Sequence, residues 1–124
     1  MPTDRFPADP VGARAARRFA RQALWDLGPV AEVAELLVSE LATNVVRHAT
    51  TPFTVDVNPG DPVRVVVSDG VGVDLQATAA APDDTSGRGL LILDSLAHRW
   101  GVERTDAGKR VWFELRRDAV PWGS

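Results

Sequence analysis

The 124-residue chain contains no cysteine, which excludes a disulfide framework, a thiolate zinc site and a cysteine nucleophile together. It also lacks a basic excess. Fourteen Lys+Arg stand against seventeen Asp+Glu, a formal charge of -3, so the cationic surface that drives sequence-independent phosphate-backbone binding is missing and no direct nucleic-acid partner is expected. No run approaches the roughly 18 apolar residues that a membrane span needs, and Met1 to Pro10 carries Asp4, Arg5 and Asp9 where a signal core would be apolar. The reading is a soluble, cytoplasmic protein with no membrane partner. Lysine is almost absent: Lys109 alone among the basic residues is not arginine, a bias that by itself points to no chemistry. What is present is ordinary globular composition, 44% hydrophobic and 25% charged. That length suits a single domain over 1–124 that buries roughly two thirds of its unfolded surface.

Apolar residues at three- and four-residue intervals, Val11, Ala15, Phe19, Ala20, Ala23 and Leu27, predict a first helix over Pro10 to Leu27 with Arg14, Arg17, Arg18 and Arg21 as a basic face. Gly28-Pro29 ends it and opens a second helix, since glycine suits a helix C-terminus and proline a first turn. This second helix runs to about Ala49. Alternation then predicts strands at Phe53 to Asn58 and Val63 to Ser68, joined by an Asn58-Pro59-Gly60-Asp61 turn and therefore antiparallel. Gly70 to Ser86 holds no period and reads as a long loop. Helical spacing resumes from Gly87 to Trp100, and strands at Gly101 to Arg104 and Arg110 to Leu115 flank an Asp106-Ala107-Gly108 turn. Helices layered on one face of a mostly antiparallel sheet, an α+β domain, follow from that order.

The second helix carries the most informative local pattern. With Glu40 at zero on the helical wheel, Asn44 falls at about 40° and His48 at about 80°, inside the arc of Val33, Ala34, Leu37, Val38, Leu41 and Val45. Glu40 lies at the edge of that arc, and Glu32, Glu35, Ser39 and Thr43 share the far side. An amide and an imidazole on an apolar face require partners, because burying either without one costs a few kcal/mol. Hydrogen bonds that tie the helix to the sheet satisfy that requirement as well as a ligand does. Two further features tilt the reading toward a site: Asp69 at the end of a strand, followed by Gly70 and Gly72, and Gly87-Arg88-Gly89-Leu90 opening a helix. The latter presents unbonded main-chain N–H groups and the positive end of a helix dipole to an anion. No Gly-Lys-Ser/Thr follows it and no strand precedes it, which excludes the Walker phosphate loop and the dinucleotide fingerprint.

These motifs, in this order, resemble those of the Bergerat-fold or GHKL ATPases (histidine kinase-like ATPase domains), and specifically the small anti-sigma-factor serine kinases of partner-switching systems. LVSELATNVVRHA, from Leu37 to Ala49, looks like the N box, and VVVSDGVG, from Val65 to Gly72, like the adenine box. SGRGLLILDSLAHRWG, from Ser86 to Gly101, looks like the glycine box, and GKRVWFEL, from Gly108 to Leu115, like the closing strand. The resemblance implies a two-layer α/β sandwich of the Bergerat type with three helices on one face. It implies ATP and Mg²⁺ as cofactors, with Asn44 holding the metal and Glu40 acting as general base. Asp69 would accept from the adenine amine, and Gly72 would let the base lie close to the backbone. Gly87, Gly89 and Leu90 would offer N–H groups to phosphates, with Arg88 either adding charge there or facing solvent. His48 is implied as a supporting or structural group, and Val73 to Ser86 as the ATP lid.

Two departures from the family pattern stand out. The adenine box usually reads Asp-x-Gly-x-Gly, whereas here Asp69-Gly70-Val71-Gly72-Val73 sets the glycines out of register. A threonine that often follows Gly-Lys, supporting the aspartate, is replaced by Arg110, which either weakens ATP binding or points away. The reading favoured is an ATP- and Mg²⁺-dependent protein serine kinase that phosphorylates an anti-anti-sigma partner and sequesters a sigma factor. The alternatives are a nucleotide-binding sequestering module without catalysis and a structural interaction domain. The family often dimerises, so a homodimer is among the implied assemblies, and the basic face of the first helix is a candidate surface for an acidic partner.

Overall fold

The computed structural model describes residues 2–48, 51–70, 92–105 and 108–118. Among these, five strands form one antiparallel sheet: β1 (Thr3–Phe6), β2 (Phe53–Asn58), β3 (Val63–Asp69), β4 (Arg99–Thr105) and β5 (Gly108–Leu115), in the order β1-β2-β3-β5-β4. Against it lie α1 (Pro10–Ala23), α2 (Pro29–His48) and a short helix α3 at 92–96. The α+β two-layer arrangement expected from the element order is the one observed.

α1 begins where Asp9 caps it, its carboxylate accepting from the Gly12 N–H at 2.7 Å, with Pro10 in the first turn. The helix stops at Ala23, earlier than its spacing predicts. Buried Leu24 leaves helical geometry at φ −119° and ψ 20°, and Trp25–Leu27 form a single 3₁₀ turn before Gly28 (φ 69°) reverses the chain into α2. α1 buries Gly12, Ala16 and Ala20, small residues that let it lie close against α2, β1 and β2. α2 buries its apolar arc, with Leu37, Val38 and Ala34 fully enclosed, and packs on β3 and β5.

The inner face of the sheet follows the period of two: Phe53, Val55 and Val57, then Val63, Val65 and Val67, then Val111, Phe113 and Leu115, all buried. Phe6 sits between Phe19 and Phe53 with ring centroids 5.7 Å apart on each side, and Leu93 of α3 joins the same core. No polar or charged residue is buried among the described residues. The outer face is held by pairing. Trp112 lies so close to Gly101 that a Cβ there would come within 2.7 Å of the indole nitrogen. The Arg64 guanidinium stacks over the same ring, 4.5 Å from its centroid, while bonding Glu114 at 3.0 Å.

Besides the end of α1, two further elements differ from the sequence expectation. β1 was not foreseen, because three of its four residues are exposed and only Phe6 turns inward. The helix expected to reach Trp100 is over by Ala97. Arg99 and Trp100 already pair with Glu114 and Phe113, and the Trp100 indole donates back to Asp94 of α3 at 3.3 Å. Across this helix-to-strand junction Leu96, Ala97 and Trp100 all pack on the core, so the inward-facing residues run on while the backbone period changes from 3.6 to 2.

Candidate functional site

The site grows from one end of the sheet. Along β3 the inward positions read Val63, Val65, Val67 and then Asp69, so the strand that lines the core ends on a carboxylate facing the helical layer. Continuing the β3–β5 register, in which Ser68 faces Arg110, puts Lys109 opposite Asp69, and the Lys109 main-chain N–H donates to Asp69 Oδ1 at 3.3 Å. Gly108 makes that approach possible. Its φ is 139°, and a Cβ there would fall 2.1 Å from the Asp69 carbonyl oxygen, so no side chain fits. From the other side, the Gly70 N–H donates to Thr51 Oγ1 at 3.3 Å. Asp69 and Gly70 are thus gripped by β5 and by the residues entering β2.

α2 reaches the same end. His48, its last residue, is three positions before Thr51, a span of at most about 11 Å, and Thr51 holds Gly70. Glu40, Asn44 and His48 step along one side of this helix, each about 6 Å of rise from the next. Glu40 and Asn44 are half-buried, whereas His48 is exposed. That corrects its place in the apolar arc: the wheel gives an angle but no axial position, and the final turn of α2 extends past the apolar layer. The far side of α2 is not simply solvated either. Glu35 accepts from Arg21 at 2.7 Å and faces Arg17 at 3.5 Å, so two of the four arginines on the basic face of α1 share one carboxylate within the chain. Beside those pairs, Pro10, Ala13, Arg14, Arg17, Ser39, Thr43 and Val46 line an open groove of about 230 Å³ between α1 and α2.

Arg110 points away from the site. It is exposed on the outer face and pairs with Glu103 at 3.7 Å. The inward neighbour of Asp69 is Lys109, which the sequence reading passed over. Two signals could have found it: the parity of β5, where Val111, Phe113 and Leu115 face inward and 109 must follow, and its standing as the single lysine. Burial pushes the Lys109 ammonium below the usual lysine range; the Asp69 charge opposes that shift and Arg104, its partner on β4, adds to it.

Gly72, Gly87, Arg88, Gly89, Leu90 and the expected lid at 73–86 lie outside the described residues. Among the described residues no group of three His, Asp or Glu could hold a metal ion by itself. Among the same residues no helix is long and apolar enough to cross a membrane.

A comparison with curated proteins finds no match. The family model of the histidine kinase-like ATPase domain matches residues 6–115, from the inward phenylalanine of β1 to the end of β5. With nine-tenths of its length covered in this way, the chain belongs to the histidine kinase-like ATPase domain family.

Proposed function

We propose that this protein is an ATP- and Mg²⁺-binding anti-sigma regulatory factor that phosphorylates a serine of an anti-anti-sigma partner and sequesters a sigma factor when that partner is unavailable. One observation carries the reading. In a chain of this ATPase family, a carboxylate and an amide stand one turn apart on the helix that packs on β3 and β5, and β3 ends in the gripped carboxylate of Asp69. Asp69 accepts from the adenine amine. Asn44 holds Mg²⁺, which when bound neutralises charge on the terminal phosphates. Glu40 takes the proton of the serine hydroxyl as the γ-phosphoryl group passes to the serine oxygen and ADP leaves. By resemblance, the glycine-box motif of Gly87, Arg88, Gly89 and Leu90 is the part of the sequence this reading assigns to the phosphates.

The test is calorimetric titration with ATP and Mg²⁺ of the wild type, Asn44→Ala and Asp69→Asn, followed by phosphoryl transfer to an anti-anti-sigma protein with Glu40→Ala in parallel. The reading expects ATP binding that needs Mg²⁺ and both side chains, with transfer abolished and binding kept in Glu40→Ala. Tight ATP binding without transfer, and signalling indifferent to Glu40→Ala, would replace it with a sequestering module that does no chemistry.

A further inference from the structure

We propose that β4 is a dimerisation edge, at which two copies of this chain join their sheets into one. In the order β1-β2-β3-β5-β4 this strand ends the sheet among the described residues, so the side of it away from β5 has no strand partner there. A strand edge of this kind can take up another strand. The sequence of β4 makes that strand a second β4. Around Gly101 the residues read Arg99-Trp100-Gly101-Val102-Glu103, with opposite charges two positions to either side of the glycine and apolar residues one position to either side.

Two identical antiparallel strands are related by a two-fold axis, and with Gly101 on that axis residues equally far before and after it face each other. Arg99 then meets Glu103 of the second copy, and Trp100 meets Val102, each pair occurring twice. The faces agree as well. Arg99, Gly101 and Glu103 pair with Glu114, Trp112 and Arg110 of β5 on the outer face, whereas Trp100 and Val102 pair with Phe113 and Val111 on the inner face. The ionic pairs therefore form on one side of the joined sheet and the apolar pairs on the other, where Val102 is 39% exposed although it points to the core side. Arg99 and Glu103 are able to reach across. Their ion pairs within the chain are long, 4.0 Å to Glu114 and 3.7 Å to Arg110, and both side chains are more than half exposed. Other registers lose the match: centred on Val102, Arg99 meets Thr105 and Glu103 meets Gly101, and centred on Glu103 the two carboxylates oppose each other. So short a seam buries less than the roughly 1,200–2,000 Å² of a stable complex, which sets the dissociation constant on the order of tens of micromolar.

The experiment is sedimentation velocity of the nucleotide-free chain from about 5 to about 500 μM, with thermal melts to confirm that each variant is folded. Without nucleotide, its outcome is independent of the ATP-binding reading. The wild type should pass from monomer to dimer across this range. Glu103→Arg and Arg99→Glu each set like charges face to face and should each raise the dissociation constant at least about tenfold. Mixed in equal amounts, these two variants should recover the dimer, because an all-arginine edge then faces an all-glutamate one. Val102→Asp, which sets a charge against Trp100 of the second copy, should also weaken the dimer at least about tenfold. A wild type still monomeric at the highest concentration, a folded variant that dimerises as the wild type does, or a mixture that associates no better than its two components overturns the inference.

Discussion

The middle of the sheet's inner face and its end at Asp69 are built on the same strands and the same side, yet they are chemically opposite. In the middle, Val65, Val67, Val111 and Phe113 meet Leu37 and its neighbours in an apolar core. Two residues further along each strand, Val67 gives way to Asp69 and Val111 to Lys109, and main-chain hydrogen bonds with a glycine contact replace side-chain packing. The apolar middle is insensitive to which ligand is present but sensitive to every methylene. The polar end contributes little to burial, and the proposed function places recognition there. A period-two pattern that runs true and then turns charged on its inward side marks where the core stops and a site starts.

Substitutions in the two regions should separate cleanly. Phe113→Ala, in the middle, should cost about 3–5 kcal/mol through lost burial and the cavity left behind; a urea unfolding curve shifted by less than about a third of that would show that the core collapses around the gap. Gly108→Ala, at the end, should cost about 1–3 kcal/mol because its Cβ would strike the Asp69 carbonyl, and ATP binding should be lost even at temperatures where the variant is folded. Binding that survives this change would uncouple Asp69 from the β3–β5 contact. Asp69→Asn should leave the melting temperature nearly unchanged while weakening ATP about tenfold or more, about 1.4 kcal/mol. A melting shift as large as that of Phe113→Ala would make Asp69 part of the core.

Lys109→Met should raise the melting temperature at neutral pH by about 1–4 °C, since burial disfavours the charged form. The sign follows from proton linkage. The folded-state pKa of Lys109 lies below the ordinary 10.5, so the unfolded chain binds more protons between the two values and wild-type stability rises with pH across that window. The advantage of the methionine variant should therefore be full at neutral pH and fade toward pH 10.5. An advantage that stays constant with pH would assign it to packing instead. Smallest of all, Glu35→Gln should cost under about 1 kcal/mol and less in high salt, because its arginine partners are about half exposed.

Most of the fold was legible because its signals are local. The alternation of Phe53 to Asn58 and of Val63 to Ser68, the Gly28-Pro29 break and the apolar arc of α2 each specify structure without help from the rest of the chain. β1 was not legible, since only Phe6 in Thr3–Phe6 carries an inward signal and the strand exists because β2 offers it a partner. Nor was the β4 start, where Trp100 is drawn into pairing with Phe113 against its helical spacing. At the polar end of the sheet, Asp69 stands out in the sequence from its place at a strand end, while the contacts that Thr51, Gly108 and Lys109 make with it and Gly70 do not. Their parts depend on main-chain contacts between residues 19 to 40 apart in sequence, which no local pattern encodes. Arg110 drew attention that belonged to its neighbour because motif matching counts residues, whereas a strand sorts them by face.

β1 has a consequence for how copies of the chain behave toward one another. Its four residues pair with Phe53 to Asp56, the Pro2 carbonyl accepts from Val57 N–H at 2.9 Å, and the Thr3 hydroxyl bonds Asp56 at 2.6 Å. Short, charged and mostly exposed, β1 is poor material for templating a neighbour, while the β2 beneath it, alternating Phe, Val and Val, is good material. The strand thus acts as a guard rail. A chain shortened by residues 2–5 would keep Phe6 for the core yet offer the β2 border to a second chain, and it should self-associate at high concentration.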